Sequence, residues 1–296
     1  MKRIVEYIKS GRVLVSDGAW GTLLFSKGLK PGECPEEWCV SHPDVVLQIA
    51  KNYIDAGSDL IETNSFGASA IKLAHYKLDH RASELNESAA KISRTAAGNE
   101  KFVLGSIGPT GRMLIMGALP EEKFYDSFSE QAVALEKGGA DAICIETMSD
   151  IDEARIAIKA AKENTGLEIV CTFTFDRTRQ GEYVTMMGIK VPDVVKAVLE
   201  AGADIIGSNC GNGTVRMIEI VRMMRDTAPD VPILVQPNAG SPSFVNGNVS
   251  YDETPEIMAG YVPDLIRAGA NIIGGCCGTT PEHIRAIKNS VLAYSG

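Results

Sequence analysis

The sequence lacks a long apolar run. None of its 296 residues belongs to an uninterrupted apolar stretch of about 18 residues, the length that a membrane-spanning helix needs. The first residues, 1–9, carry charges but no apolar segment of the kind found in signal peptides. We therefore expect a protein that does not span a membrane and that resides in the cytoplasm.

Basic residues are also scarce relative to acidic ones. The chain has 29 Lys and Arg against 38 Asp and Glu, a net charge of −9, which argues against nucleic acid as a partner. Only four histidines are present, and none lies in a catalytic pattern. His42 precedes Pro43 at a predicted helix entry, His75 and His80 lie in a polar stretch, and His283 is predicted to be a polar residue at a helix start.

The cysteines do not indicate a disulfide framework. Seven cysteines in a chain of cytoplasmic character are more typical of free or metal-bound thiols. Cys144 and Cys171 lie inside apolar runs and are predicted to be small core residues. Cys34 and Cys39 flank Pro-Glu-Glu-Trp, and their spacing is a weak metal signal because a second pair is missing.

The other three cysteines follow two strand-like segments. Cys276 and Cys277 stand together in Gly-Gly-Cys-Cys-Gly after an Asn-Ile-Ile run, and Cys210 follows Asp-Ile-Ile-Gly-Ser-Asn. Three thiols at strand ends predict a metal site with one open position, and zinc is the ion that best fits such ligands. The alternatives are a vicinal disulfide, which is strained and disfavoured in a reducing compartment, or two inert thiols.

One short pattern recurs four times along the chain. It consists of a small residue, Gly, a small residue, Asp or Asn, and then an apolar run. Its copies begin at Ala56, Gly138, Ala201 and Ala268. The glycine suits the left-handed position that ends a helix, and the apolar run suits a strand buried on both faces. Each copy therefore predicts a helix, a glycine stop and a parallel strand.

Further apolar runs bring the number of predicted strands to eight, near residues 13–17, 59–63, 102–107, 141–146, 169–174, 204–208, 232–236 and 271–275. Eight strands alternating with helices predict a (β/α)8 TIM barrel, an α/β fold, as a single domain over residues 1–296. The alternative is an open doubly wound sheet, but its glycine-rich phosphate fingerprint is missing. Pro263 predicts a kink or an early stop in the helix that follows Thr254.

Barrel enzymes place their sites at the carboxyl ends of the strands. Polar or thiol residues follow most of the predicted strands: Asp17, Asn64, Glu146, Asp176, Asn209, Cys210, Asn238, Cys276 and Cys277. Because strand 8 closes against strand 1, the cysteine pair is expected near Asp17. Only strand 7 separates the two cysteine-bearing strands, and Asn238 follows it. Its amide oxygen is a candidate for the fourth metal position when no thiol is bound, while the competing interpretation is a turn cap before Gly240.

Three thiolates on Zn²⁺ would give a centre of net charge −1, which is a poor Lewis acid for hydrolysis. Such a centre is better suited to holding a substrate thiol as thiolate, the nucleophilic form. A free thiol with a pKa of about 8.5 is only a few per cent ionised at pH 7, so metal binding could supply roughly 1.5–2 kcal/mol. The sequence therefore predicts activation of a thiol substrate.

Seven motifs lie at the predicted strand ends: Asp17-Gly-Ala-Trp-Gly-Thr, Glu62-Thr-Asn-Ser-Phe-Gly-Ala, Gly105-Ser-Ile-Gly-Pro-Thr-Gly, Ile145-Glu-Thr-Met-Ser-Asp, Ser208-Asn-Cys-Gly, Gln236-Pro-Asn-Ala-Gly and Gly274-Gly-Cys-Cys-Gly-Thr-Thr-Pro-Glu-His. From about residue 11 to 292 they resemble the homocysteine S-methyltransferase family, in the family's order. Within it, the chain is most similar to the homocysteine-binding module of the cobalamin-dependent methionine synthases.

The resemblance implies a barrel in which the three cysteines hold zinc and the homocysteine sulfur takes the fourth place. It also implies that Asp17 and Glu146 bind the ammonium group of the substrate. The backbone amides near Gly18 and Ala19 are implied to hold its carboxylate. The reaction implied is methylation of homocysteine to methionine.

The resemblance leaves the methyl donor open. The chain is short beside the full-length cobalamin enzyme, so we expect the methyl group to arrive on a separate protein that carries methylcobalamin. S-methylmethionine or betaine as a free donor is the second choice. Two other functions remain open: methylation of a different thiol or selenol, and a thiol-binding subunit without turnover of its own.

Overall fold

Eight parallel strands form the central sheet of the structure, a computed structural model that describes residues 3–112, 114–117, 119–245 and 248–295. The strands are β1 (Leu14–Val15), β2 (Leu60–Glu62), β3 (Phe102–Ile107), β4 (Ala142–Met148), β5 (Glu168–Phe173), β6 (Ile205–Asn209), β7 (Ile233–Gln236) and β8 (Ile272–Ile273). Hydrogen-bonded neighbours follow the order β1-β8-β7-β6-β5-β4-β3-β2. All eight predicted strands are present, most of them within one or two residues of the predicted bounds.

Two hydrogen bonds join the ends of this sheet, between β1 and the residue before β2. The amide of Asp59 donates to the carbonyl of Val15 at 2.6 Å, and the amide of Val15 donates to Oδ2 of Asp59 at 3.0 Å. The sheet therefore curls into a barrel. The predicted (β/α)8 fold is confirmed, and the open doubly wound sheet is wrong.

The recurring glycine pattern ends four helices as predicted. Its glycines all adopt the left-handed conformation, with φ between 104° and 110°: Gly57, Gly139, Gly202 and Gly269. A side chain is strained in this conformation and glycine is not. Each glycine is the C-cap of its helix and directs the chain into the next strand.

The Asp or Asn of the same pattern also forms hydrogen bonds to the preceding strand, which the sequence analysis did not predict. The amide of Asp141 donates to the carbonyl of Val103 at 2.8 Å, and its Oδ2 accepts from the amide of Val103 at 2.8 Å. Asp204 makes the same pair of bonds with Ile169, and Asn271 makes them with Ile233. Together with the two bonds of Asp59, four such pairs of hydrogen bonds link β2 to β1, β4 to β3, β6 to β5 and β8 to β7.

Helices surround the barrel: α1 (Ile4–Lys9), α2 (Gly21–Ser26), α3 (Trp38–Ser41), α4 (Pro43–Ala56), α5 (Ala70–Leu73), α6 (Ala82–Ala97), α7 (Glu121–Gly138), α8 (Ile151–Asn164), α9 (Val191–Ala201), α10 (Thr214–Thr227), α11 (Pro255–Gly260), α12 (Val262–Ala268) and α13 (Pro281–Ser295). Antiparallel hairpins follow β5, with strands Asp176–Arg177 and Tyr183–Val184, and β7, with strands Ser243–Val245 and Asn248–Ser250. No described helix is both long and apolar enough to traverse a bilayer.

The helix after β7 is interrupted, as Pro263 predicted. The first segment, α11, starts under the cap of Thr254, whose hydroxyl accepts from the amide of Ile257, and it ends at Gly260. A second segment, α12, restarts at Val262 with Pro263 in its first turn. Because a proline ring there replaces an amide that would have no helical partner, the break costs little.

Apolar residues pack in two main layers, one inside the barrel and one between the strands and the helices. Cys144 belongs to the inner layer and Cys171 to the outer one, as core residues. The short helix α1, which the sequence analysis did not predict, adds Ile4 and Ile8 to the inner layer. The Glu168 carboxylate accepts from the amide of Ile4 at 2.6 Å and so fixes α1 against the amino end of the barrel.

Candidate metal and substrate site

The structure brings the three predicted cysteines together at the carboxyl end of the barrel. Sulfur atoms of Cys210, Cys276 and Cys277 all lie within 4.8 Å of one another. Backbone hydrogen bonds fix their loops to the segment after β7. The Cys210 amide donates to the Gln236 carbonyl at 3.1 Å, and the Cys276 amide donates to the Pro237 carbonyl at 2.7 Å. The trio is thus held by the backbone of three neighbouring strands.

The sulfur spacing fits a tetrahedral metal. Zn–S bonds of about 2.3 Å place two sulfurs of a tetrahedral site about 3.8 Å apart. The sulfurs of Cys210 and Cys277 are 3.8 Å apart. Hydrogen bonds from Cys210 and Cys276 lower the pKa of Cys277 to about 3. The hydrogen bond to Cys277 contributes to raising the pKa of Cys210 to about 11, and the bonds to Cys210 and Cys277 raise the pKa of Cys276 well above its ordinary value. One thiolate, on Cys277, is therefore favoured in the ion-free cluster, and thiolate is the form in which cysteine binds metals. All seven cysteines are free thiols, so the alternative of a vicinal disulfide does not apply.

Two further polar residues belong to the segments beside the cluster, Asn238 through the neighbouring backbone bond from the Ala239 amide to the Cys277 carbonyl at 2.9 Å. Asn238 is 4% exposed, and its Oδ1 has no hydrogen-bond partner among the described residues. A buried acceptor without a donor is costly and rare, so this oxygen is suited to an electropositive ligand. The hydroxyl of Tyr251 bonds to the sulfur of Cys277, and burial together with the charge of Cys277 raises the pKa of Tyr251 to about 12.

A cavity of about 370 Å³ opens beside the sulfurs. Its walls include the three cysteines and residues from the ends of most barrel strands: Gly18, Ala19, Trp20, Gly21, Thr22, Leu24, Pro35, Glu36, Glu62, Thr63, Asn64, Phe66, Ser106, Glu146, Thr147, Gln236 and Gly275. Gly18, Ala19 and Glu146, which the resemblance implies as substrate-binding residues, line this cavity. Asp17 and Asn238 are not among these lining residues.

Glu146 is buried at the cavity wall in a network of donors. The hydroxyl of Ser106 donates to its Oε1, and the amide of Asn209 donates to its Oε2 at 3.1 Å. Burial raises the pKa of Glu146 to about 7, against the effect of its donors. A carboxyl of this kind is poised near neutrality, and a cationic ligand would favour its ionised form.

Asp17 lies behind the wall rather than on it. Its Oδ2 accepts from the indole of Trp20 and from the amide of Glu62, both at 2.9 Å, and its Oδ1 accepts from the Ser16 hydroxyl at 3.2 Å. Burial raises its pKa to about 6. Glu62 is the acid that lines the cavity on this side. Burial, together with the charges of Glu146 and Asp17, raises the pKa of Glu62 well above its ordinary value.

Of the two backbone amides implied to hold the carboxylate, one is occupied. The Ala19 amide donates to the Thr279 hydroxyl at 3.1 Å, and the Ala19 carbonyl accepts from Tyr53. The Gly18 amide has no hydrogen-bond partner among the described residues, and Gly18 lines the cavity. A side chain at Gly18 would lie 2.6 Å from Thr279, so only glycine allows this approach.

Glu62, Gln236 and Tyr251 were missed by the sequence analysis as site residues, and Asn209 was placed at a strand end without a role. Glu62 and Gln236 both open motifs quoted above, and that was the available signal. His283 takes a structural role: its ring bonds to Thr280 and to the carbonyl of Glu253.

The pair Cys34 and Cys39 does not join the metal cluster. The Cys34 thiol donates to Glu36 at 3.2 Å, and the Cys39 thiol donates to the carbonyl of Asn64 at 3.4 Å. Burial raises the pKa of both thiols. Neither thiol belongs to a group of three or more potential metal ligands among the described residues, so the pair is not a candidate metal site.

The sequence model of the family described as homocysteine S-methyltransferase matches residues 14–291. The chain belongs to this family. Among curated relatives, methionine synthase of Mycobacterium tuberculosis is 32% identical over 305 residues, covering 96% of this chain and 25% of the relative. Methionine synthase of Mycobacterium leprae is 32% identical over 299 residues, covering 95% of this chain and 24% of the relative. The chain thus spans about a quarter of the length of these relatives.

Solved structures support the fold. The metallated form of the homocysteine methyltransferase MmuM from Escherichia coli superposes with a TM-score of 0.78 at 24% identity, covering 96% of this chain and 98% of that chain. The carboxyl transferase domain of Rhizobium etli pyruvate carboxylase with 3-bromopyruvate gives a TM-score of 0.54 at 16% identity, covering 97% of this chain and 48% of that one. The family that the sequence motifs resemble is therefore confirmed.

Proposed function

We propose that the chain is a zinc-dependent methyltransferase that binds L-homocysteine through its sulfur and converts it to methionine. The observation that carries this proposal is the cluster of three thiols at one end of a cavity whose other walls carry buried carboxyls. A thiol amino acid has the matching groups, a sulfur at one end and an ammonium at the other. Metal and amino acid recognition are thus combined in a single cavity.

Cys210, Cys276 and Cys277 would hold the zinc ion. When bound, zinc supplies a positive charge that keeps a substrate thiol ionised at neutral pH. The unpartnered Oδ1 of Asn238 supports the proposal that this residue takes the fourth position in the absence of substrate. The backbone bond from the Ala239 amide to the Cys277 carbonyl, at 2.9 Å, holds the Asn238 loop against the cluster.

The remaining groups orient the amino acid part of the substrate. Glu146 provides a buried carboxylate for the ammonium group, and the unpartnered amide of Gly18 provides a donor for the carboxylate group. Both groups are fixed before binding, Glu146 by its hydrogen bonds and Gly18 by its backbone. Preorganisation of this kind lowers the entropy cost of aligning the sulfur with a methyl donor.

We propose a methylated corrinoid protein as the donor. Arg177, Arg179 and Arg216 line an open cavity of about 430 Å³ on the hairpin after β5 and the start of α10. None of them forms an ion pair with a described residue. The hairpin after β5 is joined to the loop that follows Cys210, since the side-chain amide of Asn212 donates to the carbonyl of Phe175 at 2.5 Å. An exposed positive surface on a chain of net charge −9 suits an acidic protein.

The alternative is a chain that acts by itself with a small donor such as S-methylmethionine or betaine. It is supported by the likeness to MmuM, whose chain is covered to 98% by the present one. A thiol-binding subunit without turnover is the third candidate. We also infer a cytoplasmic location, since a reducing compartment keeps three free thiols available for a metal.

The test starts with metal content. The protein purified with zinc should hold about one ion per chain, and Cys210→Ala or Cys277→Ala should lose it. Cys34→Ala and Cys39→Ala are the matched controls and should keep it. On addition of L-homocysteine, X-ray absorption at the zinc edge should show a fourth sulfur. Zinc retained by Cys210→Ala and Cys277→Ala, or no added sulfur with homocysteine, would refute the proposal.

Methionine formation then separates the donors. Methylcobalamin bound to a corrinoid protein, free methylcobalamin, S-methylmethionine and betaine are offered in turn with L-homocysteine. Turnover with the cobalamin donors supports the first proposal, and turnover with only the small donors supports the alternative. Homocysteine binding without turnover from any of them identifies a binding subunit.

The role of Asn238 is tested separately on the zinc-loaded, substrate-free protein. Asn238→Ala should change the light-atom contribution to the zinc edge, and a crystal structure should show whether water replaces the amide. An unchanged first coordination shell with a distant side chain in the wild-type crystal structure would leave Asn238 as a turn residue.

A further inference from the structure

Glu253 is bonded to all three chain segments that surround the cysteine cluster. Its backbone amide donates to the carbonyl of Ala239 at 2.9 Å, in the loop after β7. Its backbone carbonyl accepts from Nε2 of His283 at 3.0 Å, in α13, the helix after the cysteine pair. Its carboxylate accepts from Thr214, at the start of α10, the helix after the third cysteine. One residue thus joins the segments that follow β6, β7 and β8.

The carboxylate of Glu253 caps helix α10. The hydroxyl of Thr214 donates to its Oε2 at 2.6 Å, and the amide of Thr214 lies 3.2 Å from both carboxylate oxygens. The N-cap residue of this helix, Gly213, has no side-chain acceptor of its own. Glu253 therefore supplies the acceptor for the first helical amide, where the helix dipole also favours a negative charge. A side chain at Gly213 would lie 2.4 Å from the carboxylate, so glycine leaves room for this contact.

The two residues before Glu253 contact the same segments. The hydroxyl of Tyr251 bonds to the sulfur of Cys277. The carboxylate of Asp252 accepts from the amide of Ser241 at 2.9 Å, in the loop after β7. None of residues 251–253 lines the substrate cavity. They therefore hold the segments around the cluster from outside the cavity.

We propose that Glu253 is a positioning residue of the metal cluster, which keeps the three segments in register so that the sulfurs stay at the spacing of a metal site. The sulfurs come from two loops that are far apart in sequence, so their spacing depends on how these loops are held. Loops that are ordered before binding do not have to be ordered by the metal, and metal affinity rises accordingly. This inference rests on the proposed function in one respect, that the three cysteines hold the ion.

A positioning role predicts effects that a role in stability alone does not produce. A cap that only stabilises the fold lowers the midpoint of thermal unfolding and leaves the metal affinity of the folded protein unchanged. A positioning residue also changes the affinity and the ligand geometry of the bound ion. Cobalt(II) in place of zinc reports that geometry, because thiolate ligands give it a characteristic absorption.

Two variants remove the carboxylate contact by different routes. Glu253→Ala deletes the carboxylate, and Gly213→Ala displaces it, since the carboxylate ends a flexible side chain that can move aside. Both should raise the dissociation constant for zinc roughly 10- to 100-fold in a competition with a chelator, and both should weaken the thiolate absorption of bound cobalt. Glu253→Gln keeps the length and one acceptor oxygen and should recover most of the affinity. Thermal unfolding checks that each variant is folded.

Thr254→Ala is the matched control. Thr254 is the next residue along the chain, and its hydroxyl accepts from the amide of Ile257 as the cap of α11. The variant therefore also loses a helix cap, but at a helix that does not follow a cysteine of the cluster. It should keep wild-type zinc affinity and a wild-type cobalt spectrum. Wild-type zinc affinity in both Glu253→Ala and Gly213→Ala, or an equal loss in the control, overturns the inference.

Amide hydrogen exchange in the metal-free protein separates this inference from the proposed function. The amides of Cys210 and Cys276 donate to carbonyls at the end of β7 and directly after it, at 3.1 and 2.7 Å. These bonds report the register of the segments without an ion, and both amides should exchange roughly 10-fold faster in Glu253→Ala. If the wild type binds no zinc but this difference is present, the positioning role stands and the metal function falls. Equal exchange in Glu253→Ala and the wild type overturns the positioning role.

Discussion

The amide of Asn209 donates to Oε2 of Glu146 at 3.1 Å, and Asn209 is the residue directly before Cys210. The two ends of the proposed substrate site are therefore joined by one side chain. The other polar atom of the amide, Oδ1, accepts from the amide of Thr147 at 2.9 Å and from the hydroxyl of Thr172 at 2.8 Å. Both polar atoms of the Asn209 side chain are therefore hydrogen-bonded, and the residue links β4, β5 and β6 rigidly.

This link also holds two unusual backbone conformations. Thr147 has φ of 58° and Cys210 has φ of 59°, in the left-handed region that non-glycine residues rarely adopt. Such strain persists only where neighbouring contacts enforce it, and it is common at functional sites. Asn209 lies next to one of these residues and bonds to the amide and the hydroxyl of the other.

Replacing Asn209 should therefore weaken substrate binding without removing any proposed ligand atom. Asn209→Leu deletes a hydrogen bond to a buried carboxylate, and such bonds contribute about 1.5–3 kcal/mol. The dissociation constant for L-homocysteine should rise at least 10-fold. Asn164→Ala, at an exposed helix end, is the control and should leave binding unchanged. A wild-type dissociation constant in Asn209→Leu would show that Glu146 does not depend on this link.

Amino acid binding should release protons near neutral pH. Burial raises the pKa of Glu146 to about 7, so the carboxyl is largely protonated at pH 6 in the empty site. A bound ammonium group favours the ionised form and lowers this pKa, so the proton leaves on binding. L-Methionine, which has no thiol, should bind more tightly as the pH rises from about 5.5 to 7.5. Calorimetry in buffers of different ionisation enthalpy measures the proton release, which Glu146→Gln should reduce.

The stability of the empty, metal-free protein should fall over a similar pH range. Burial raises the pKa of Asp17 from its ordinary value of 3.8 to about 6, so the folded state holds a proton that the unfolded chain releases above about pH 4. The stabilisation is complete below pH 4 and is lost as the pH rises through 6. Asp17→Asn should flatten the decrease in unfolding midpoint between pH 5 and 7.5. An unfolding midpoint that falls equally with pH in the variant and in the wild type would show that Asp17 does not cause the decrease.

The sequence predicted the strands and the cluster of three cysteines for the same physical reason. Parallel barrel strands are buried on both faces, so each appears as a continuous apolar run, and the residue after each run reaches the rim. Cys210, Cys276 and Cys277 could be placed together from strand order alone. The helix break near Pro263 could also be predicted from the sequence, because the effect of a proline on a helix is local.

The carboxyl and amide residues that line the cavity were harder to predict, because their exposure to the cavity depends on the direction in which each side chain points. Asp17 and Glu62 both end strand segments next to each other in the barrel, yet Glu62 faces the cavity and Asp17 lies behind it. Side chains alternate between the faces of a strand, so a shift of one residue reverses the outcome. Gln236 bonds to Ser16 and Glu62 across more than 170 positions of sequence, and no local pattern reveals such contacts.

Tyr251 should tune the metal site. Its hydroxyl bonds to the sulfur of Cys277, and its ring packs against Gly278, where a side chain would lie 2.3 Å from the ring. Outer partners of metal ligands typically contribute 10- to 100-fold in affinity. Tyr251→Phe should lower zinc affinity about 10-fold in a competition with a chelator, with unchanged thermal stability of the metal-free protein. Tyr261→Phe is the control, and an equal loss there would exclude a specific effect.

The arginine surface at the rim should affect only a protein-borne donor. Reversing Arg177, Arg179 and Arg216 to Glu places three negative charges where an acidic carrier is proposed to dock. The KM for methylcobalamin bound to a corrinoid protein should rise about 10-fold or more, because steering and contact are both lost. Turnover with free methylcobalamin should be unchanged, since these residues do not line the substrate cavity.

Salt and a matched variant complete this test. Wild-type kcat/KM with the protein-borne donor should fall as ionic strength rises, and the reversed variant should lose this dependence, because salt screens exposed charges. The control reverses Arg155, Lys159 and Lys196, three exposed basic residues on α8 and α9. If the control raises the KM as much as the rim variant, net charge rather than the rim surface controls the encounter. If neither variant affects the protein-borne donor, the carrier docks elsewhere or the donor is a small molecule.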